Sequence, residues 1–175
     1  QTRIRNCLIM GNATTGSVST YRGGGIYIDV DGTNTLESCT LVGNQTMRSG
    51  DGLALMAAAS NRILNCIVYS NSAASGDADL HLTGNDSTNA FHFSCSPLLI
   101  NSENGNTTNA PVFVNSDAGD YRLAQGSPCI NTGTNLPWMA DAVDLDGRCR
   151  LDRFSRQVDM GCYEYLPQGI IFNLR

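Results

Sequence analysis

The chain has 175 residues, with 11 basic against 16 acidic side chains and a formal net charge of -5; that balance argues against nucleic acid and an anionic membrane surface, which both need clustered cations. Every basic residue is arginine, which excludes lysine chemistry such as Schiff bases and phosphate-binding loops. No run approaches the ~18 apolar residues of a membrane span, and only 15% of residues are charged, so solubility rests on Asn, Ser, Thr and Gly, a composition common outside the cell.

In chain order, the sequence opens inside a patterned segment, TRIRNCLIMGN (2–12), so its N-terminus reads as a processed or truncated edge. NCLIMGN (6–12) sets a small polar residue before Cys7, an aliphatic two after it and Asn five after it. GGGIYI (23–28) starts a second kind of segment. SCTLVGN (38–44) and NCIVYSN (65–71) repeat the first kind, and GDGLAL (50–55) and DADLHL (77–82) repeat the second. Cys7, Cys39 and Cys66 are separated by 32 and then 27 residues, while Ile26, Leu53 and Leu80 are 27 apart each time. A degenerate fourth copy, FSCSPLL (93–99), places Cys95 a further 29 residues on. Two interleaved series with one period are the mark of a solenoid.

The repeated elements are short, β-branched or alternating, and bounded by Gly, Asn, Asp and Ser, which predicts strands. LALMAAAS (53–60) is Ala-rich but lies in register with strands, so tertiary context is expected to prevail there. The Leu-x-x-Leu-x-Leu signature of a leucine-rich repeat is absent from the sequence. The expected fold is all-β: a parallel β-helix of three strands per coil and about 27 residues per coil. Stacking would line up Cys7, Cys39 and Cys66 in an interior column, with Ile9, Leu41 and Val68 beside them. Asn12, Asn44 and Asn71 would occupy a corner where Asn tolerates left-handed backbone and its amide bonds up the stack. The coils are expected over 1–100, fading into a loop composition at NSENGNTTNA (101–110).

The C-terminal third runs from NAPVFVNSDAGDYRLAQGSPCINTG (109–133) through DLDGRCR (144–150) to VDMGCYEY (158–165). This string resembles the C-terminal signature of bacterial secreted right-handed parallel β-helix proteins of the choice-of-anchor Q domain family. The residues that carry it include Pro111, Phe113, Asp120, Tyr121, Leu123, Ser127, Pro128, Ile130, Gly133, Asp144, Asp146, Gly147, Arg150, Asp159, Gly161, Tyr163 and Glu164. Cys149 departs from it, standing where Pro is frequent. The resemblance implies further coils upstream and a terminal coil and cap over 101–165. In that cap Phe113, Tyr121, Leu123 and Ile130 would close the last coil's core, Gly133 and Gly147 would take positive φ, and Tyr163 and Glu164 would seal the end. Cys129, Cys149 and Cys162 all lie in this cap, where two of them could pair in an extracellular protein; the sequence does not fix the pairing, and Cys129 with Cys162 is the expected one because both lie in the family's strand motifs. Seven cysteines is an odd count and leaves at least one thiol over.

Five features are candidate sites. Asp144 and Asp146, with Asp141, Asp152 and Asp159 nearby, offer the hard oxygen ligands calcium takes, although no EF-hand loop is present; the competing reading has them capping the turn and pairing with Arg148, Arg150 or Arg153. Asp29, Asp31, Asp51, Asp77 and Asp79, with His81 and His92, are the carboxylates and imidazoles a polysaccharide-cleaving coil face would draw on, yet no Asp-Asp pair occurs. Asn12, Asn44, Asn85 and Asn106 head N-glycosylation sequons. Cys129 and Cys162 are the disulfide pair already named. The tail (166–175) carries Ile170, Ile171, Phe172 and Leu174, a strand-competent run that would fold back or add to another copy of the chain.

The expected function is therefore a non-catalytic extracellular or cell-surface module, a glycoprotein scaffold or adhesin that assembles with copies of itself or holds a surface polysaccharide, with no cofactor unless calcium. The alternative is a fragment of a carbohydrate-active enzyme, a polysaccharide lyase or hydrolase.

Overall fold

The computed structural model describes residues 2–15, 23–29, 32–47, 50–56, 59–73, 78–82, 89–151 and 155–167. They form an all-β parallel solenoid with a non-repeating segment laid along one side.

Four parallel ladders build the stack. The first joins β1 (Thr2–Arg5), β5 (Gly32–Glu37), β9 (Ala59–Leu64) and β13 (Asn89–His92). The second joins β2 (Leu8–Met10), β6 (Thr40–Val42) and β10 (Ile67–Tyr69). The third joins β3 (Ala13–Thr14), β7 (Gln45–Thr46) and β11 (Ser72–Ala73). The fourth joins β4 (Ile26–Ile28), β8 (Leu53–Leu55) and β12 (Leu80–Leu82). Three strands per coil was the expectation. The fourth ladder arises because the Asn corner divides one run, as between β6 and β7, into two short strands.

Each coil bends twice through left-handed backbone. Asn6, Ser38 and Asn65 have φ of 50, 52 and 54°, and Gly11, Gly43 and Ser70 have φ of 64, 62 and 58°. The second bend thus falls on the residue before Asn12, Asn44 and Asn71, not on the asparagines as expected, which leaves their side chains free to stack. The registers Leu8 with Thr40 and Ile26 with Leu53 place the extra length of the first coil between β3 and β4.

Stacking puts like over like. Leu41 lies beside Ile9 and Val68, and the coil interior packs Cys7, Cys39, Cys66, Leu36, Leu53, Leu55, Ile63 and Leu80 into one cluster. Each thiol of the Cys column donates to the carbonyl two residues earlier, Cys7 to Arg5, Cys39 to Glu37 and Cys66 to Leu64. The Cys66 thiol and burial hold Cys39 well above the ordinary range, against the opposing pull of the Cys7 thiol.

Cys95 does not continue this column. Ser94, 28 residues after Cys66, takes the place above it and accepts from the Cys66 N–H, while Cys95 pairs with Ile67. Side chains alternate faces along a strand, so one added residue sends Cys95 outward. There it joins Ile67, Leu123, Cys129 and Met160 in a second buried cluster.

That second cluster corrects the expected cap. Leu99 packs against the interior cluster at its upper end, and Thr107 adds a last parallel bridge to Cys95. Beyond this the chain does not close the last coil with Phe113, Tyr121, Leu123 and Ile130; it turns back along the outer face of β2, β6 and β10. An antiparallel hairpin, β14 (Phe113–Asn115) and β15 (Asp120–Leu123), begins this lateral segment. Covered on both sides, Thr40, Val42 and Ile67 are all buried, which accounts for the unbroken apolar runs of the first repeat series.

Candidate functional site

Sequence reasoning offered three polar constellations, and the structure gives each a different setting. The first is the Asn corner. Asn12 donates from backbone and side chain to Asn44 Oδ1, at 3.1 and 2.9 Å, and Asn44 does the same to Asn71 Oδ1, at 3.0 and 2.9 Å. Asn71 in turn donates twice to Asp79 Oδ1, at 2.9 and 2.7 Å. Asp79 thus ends the ladder, replacing the amide a further coil would have supplied. Gly52, aligned with Asp79 one coil below, admits the arrangement because a Cβ there would lie 2.6 Å from Asn71 Nδ2.

This geometry decides the acidic candidates. Asp51 is fully buried and Asp79 nearly so; burial raises both carboxyls, Asp51 to about 6, with Asp79 adding to the shift on Asp51. Asp29 is exposed and accepts from the Tyr27 hydroxyl. Asp31 and Asp77 lie outside the described residues. The three that are described therefore do not share one solvent-facing surface with His81 and His92.

The sequons divide in the same way. Asn44 and Asn106 are buried, with both ends of their amides engaged: Asn44 with Ile9, Asn12 and Asn71, and Asn106 with Ser94 and Phe91. The fold has no room for a glycan on either, a correction to their reading as acceptors. Asn12 is exposed, and Asn85 lies outside the described residues, as do Ile170, Ile171, Phe172 and Leu174.

The second constellation is the Asp-rich C-terminal motif. The Asp144 carboxylate accepts backbone N–H groups from Asp146, Arg148 and Glu164, all at 2.8 Å. Asp146 is held instead by Arg122, through Nε at 2.6 Å and Nη2 at 2.7 Å, and that guanidinium keeps its carboxyl below the ordinary range. The pair offered as calcium ligands is thereby turned to different partners. Among the described residues no group of three or more His, Cys, Asp or Glu has the arrangement of a metal site. The Arg122 pairing was not foreseen; Arg122 and Asp146 are 24 residues apart, in separate segments of the C-terminal signature.

The same motif buries a cation. Arg150 is fully buried, lies 3.1 Å from Glu164 Oε1 through Nε, and donates to the Gly161 carbonyl at 3.0 Å. Glu164 Oε2 accepts from the Asp159 N–H, and Asp159 accepts from Asn131 and Tyr165. Burial, with the Asp159 and Asp144 carboxylates close by, pushes Glu164 up to about 9 against the pull of Arg150. Gly133 owes its place here to close approach, since a Cβ would lie 2.9 Å from Val158; only Gly147, at φ 79°, takes the positive φ expected of both.

This motif is fastened to the coils by the left-handed corners. Asn6 Nδ2 donates to the Val143 carbonyl, Asn65 exchanges bonds with Thr134 in both directions, and Thr40 Oγ1 accepts from the Cys162 N–H. Arg5 stacks on Trp138 at 4.9 Å. The small polar residue before Cys in each repeat signals these corners, although nothing in the sequence says what docks on them.

The third constellation is the cysteines. Cys129 and Cys162 are free buried thiols, so the expected bond between them is not formed. Cys129 stands beside Cys95 in the second cluster. Burial pushes Cys162 up to about 11.

One surface cavity of about 390 Å³ lies where the lateral hairpin meets the coils, between Tyr69, Ser70, Phe113, Ser116, Asp117 and Tyr121. The Phe113 and Tyr121 rings meet edge to face at 5.2 Å. Comparison with family models, with curated proteins and with solved structures gave no match to this chain.

Proposed function

We propose that the chain is a non-catalytic structural module of an extracellular or cell-surface protein: a right-handed parallel β-helix of the kind its C-terminal signature resembles, presenting a rigid surface to a glycan or to further copies of itself. The observation that carries this reading is the ladder Asn12–Asn44–Asn71–Asp79, buried from Asn44 onward. A cleaving enzyme on such a stack needs carboxylates held toward a water and a substrate. Here Asp79 spends its oxygen on Asn71, Asp144 on three N–H groups and Asp146 on Arg122. Polar side chains placed this way stiffen the stack, because leaving any one partner unsatisfied in the interior costs ~1–3 kcal/mol.

The test is incubation of the purified chain with acidic and neutral polysaccharides, with and without calcium, followed by measurement of reducing ends and unsaturated products. No release under either condition is expected, together with resistance of the coil region to trypsin. Product release would establish the carbohydrate-active reading instead.

A further inference from the structure

The cavity at the hairpin has a lining that selects a chemical class. Five of its lining residues, Tyr69, Ser70, Ser116, Asp117 and Tyr121, carry side-chain oxygen, and Phe113 supplies an apolar wall with Ala110 and Pro111. None of these hydroxyls, nor the Asp117 carboxylate, takes part in a hydrogen bond or ion pair among the described residues, in contrast to the carboxylates of Asp79, Asp144 and Asp146. Gly43 leaves the space open, since a Cβ there would reach within 3.4 Å of the Tyr121 hydroxyl. The cavity lies near the small end of the range for ligand pockets, roughly 300–1,000 Å³.

Complementarity then works by elimination. An apolar ligand would strip water from five oxygen-bearing side chains and return nothing for it. An anion would face Asp117 with no arginine in the lining. A quaternary ammonium would suit the rings and Asp117, but has no acceptor for the hydroxyl donors. A neutral polyol ring matches all three features: its C–H face lies on Phe113 and the tyrosine rings, its hydroxyls donate to Asp117, and they accept from the tyrosine and serine hydroxyls. We infer that this cavity is a subsite for one or two sugar units of a neutral glycan, which gives the surface-presenting role proposed above a defined ligand class and rests on that reading.

Saturation-transfer difference NMR on the full chain tests this, with glucose, galactose, mannose, their N-acetylhexosamines and the matching disaccharides as probes and choline chloride as the cationic control. At least one sugar is expected to show transfer to its ring C–H protons, with Kd about 1 mM, the weak end of specific binding. Tyr121→Ala and the exposed Asp117→Asn are each expected to weaken it about tenfold. Because Tyr121 packs on Phe113, Asp117→Asn is the deciding variant should Tyr121→Ala fail to fold. Binding of choline without any sugar, binding of none of the probes, or sugar binding unchanged in Asp117→Asn would each overturn the subsite. Hydrolysis of the bound sugar would leave the subsite standing and remove the non-catalytic reading, so the two failures are distinguishable.

Discussion

The coil stack and the lateral segment are neighbours held together by different physics. In the stack, the coils through Asn71 repeat the same contacts: backbone ladders, a thiol column, an aliphatic column and the Asn12–Asn44–Asn71 amide ladder, while a second amide ladder, Asn34–Asn61–Asn89, runs into the next coil. Each interaction is modest and local to adjacent coils, so stability grows roughly as a sum of nearest-neighbour terms. The lateral segment has no repeat. It is secured by one buried cation, Arg150, with Glu164, Asp159 and Asp144 around it, and by docking on Asn6, Thr40 and Asn65. Damage to the stack should therefore be graded by position, and damage to the segment concentrated at one residue.

The largest effect is expected at that residue. Arg150→Leu takes the donor away from Glu164, which burial keeps protonated at neutral pH, and from the Asp159 and Gly161 carbonyls; with ~1–3 kcal/mol for each buried acceptor left unsatisfied, the loss is about 3–5 kcal/mol. Urea denaturation followed by circular dichroism should show this loss. Limited proteolysis should show the lateral segment cut before the coils. Replacing both partners, Arg150→Met with Glu164→Gln, is expected to recover part of the loss, because the carboxamide brings two N–H donors among the acceptors that the guanidinium served. A smaller loss in Arg150→Leu than in the double variant would dissolve the contrast between the two regions.

The next effect probes the graded side. Asn44 is the middle rung, fully buried, donating to Ile9 and Asn71 and accepting twice from Asn12. Asn44→Ala is expected to cost about 2–4 kcal/mol, from more than one stranded partner at ~1–3 kcal/mol each. Asn12 is exposed at the end of the ladder, and water can replace what Asn12→Ala removes, so its cost should be below about 1 kcal/mol. Chemical denaturation of the two variants side by side measures the gradient, and equal losses would mean the ladder does not act rung by rung.

How far the sequence was legible follows from the same contrast. The columns of Cys7, Cys39 and Cys66, of Ile9, Leu41 and Val68, and of Asn12, Asn44 and Asn71 were readable, because stacking converts an interval in the chain directly into contact. The Asn34–Asn61 ladder had the same 27-residue interval and was overlooked, lying in a polar-looking strand. Cys95 misled because 29 is close to 27, yet beside the 28-residue step of its own coil it falls on the opposite face. In the lateral segment, spacing carries no such information. The motif residues Asp144, Asp146, Arg150 and Glu164 were identifiable as a group. Their partners were not, since Arg122 with Asp146 and Asn6 with Val143 depend on how the segment folds back. The runs LIM, TLV and IVY did hold one clue, being apolar at successive positions where a one-sided strand would alternate.

A third effect separates the regions by pH. Glu164 is raised from 4.5 to about 9 in the folded chain, so between those values the folded state holds a proton that the unfolded state has released. Its contribution is complete below about pH 4.5 and is lost as pH rises toward 9. One such group changes stability by at most about 1.4 kcal/mol per pH unit. Asp51 and Asp79, also raised, act in the same sense within the coils, Asp51 only up to about pH 6. Thermal midpoints should therefore fall from pH 7 to pH 8.5, and Glu164→Gln should flatten that slope, leaving below about pH 6 only the share that Asp51 and Asp79 contribute. A slope unchanged by Glu164→Gln would relocate the titrating group to the stack.

The mildest test changes no residue and costs no stability. Of the seven thiols Cys149 is exposed, Cys7 is half-buried, and Cys39, Cys66, Cys95, Cys129 and Cys162 are buried. Iodoacetamide on the native chain should label Cys149 first and Cys7 slowly, because the Cys7 thiol is engaged with the Arg5 carbonyl and the Cys39 thiol and its pKa is raised. The remaining five should react only on unfolding, and the order in which they do so reads the two regions separately. Release of the lateral segment alone would expose Cys95, Cys129 and Cys162, which lie at its contact with the coils, while Cys39 and Cys66 stayed protected in the coil interior. Mass spectrometry across a urea series resolves the two groups. If all five appear together, stack and segment unfold as one cooperative unit, and the buried Arg150 network binds them more tightly than their separate construction suggests.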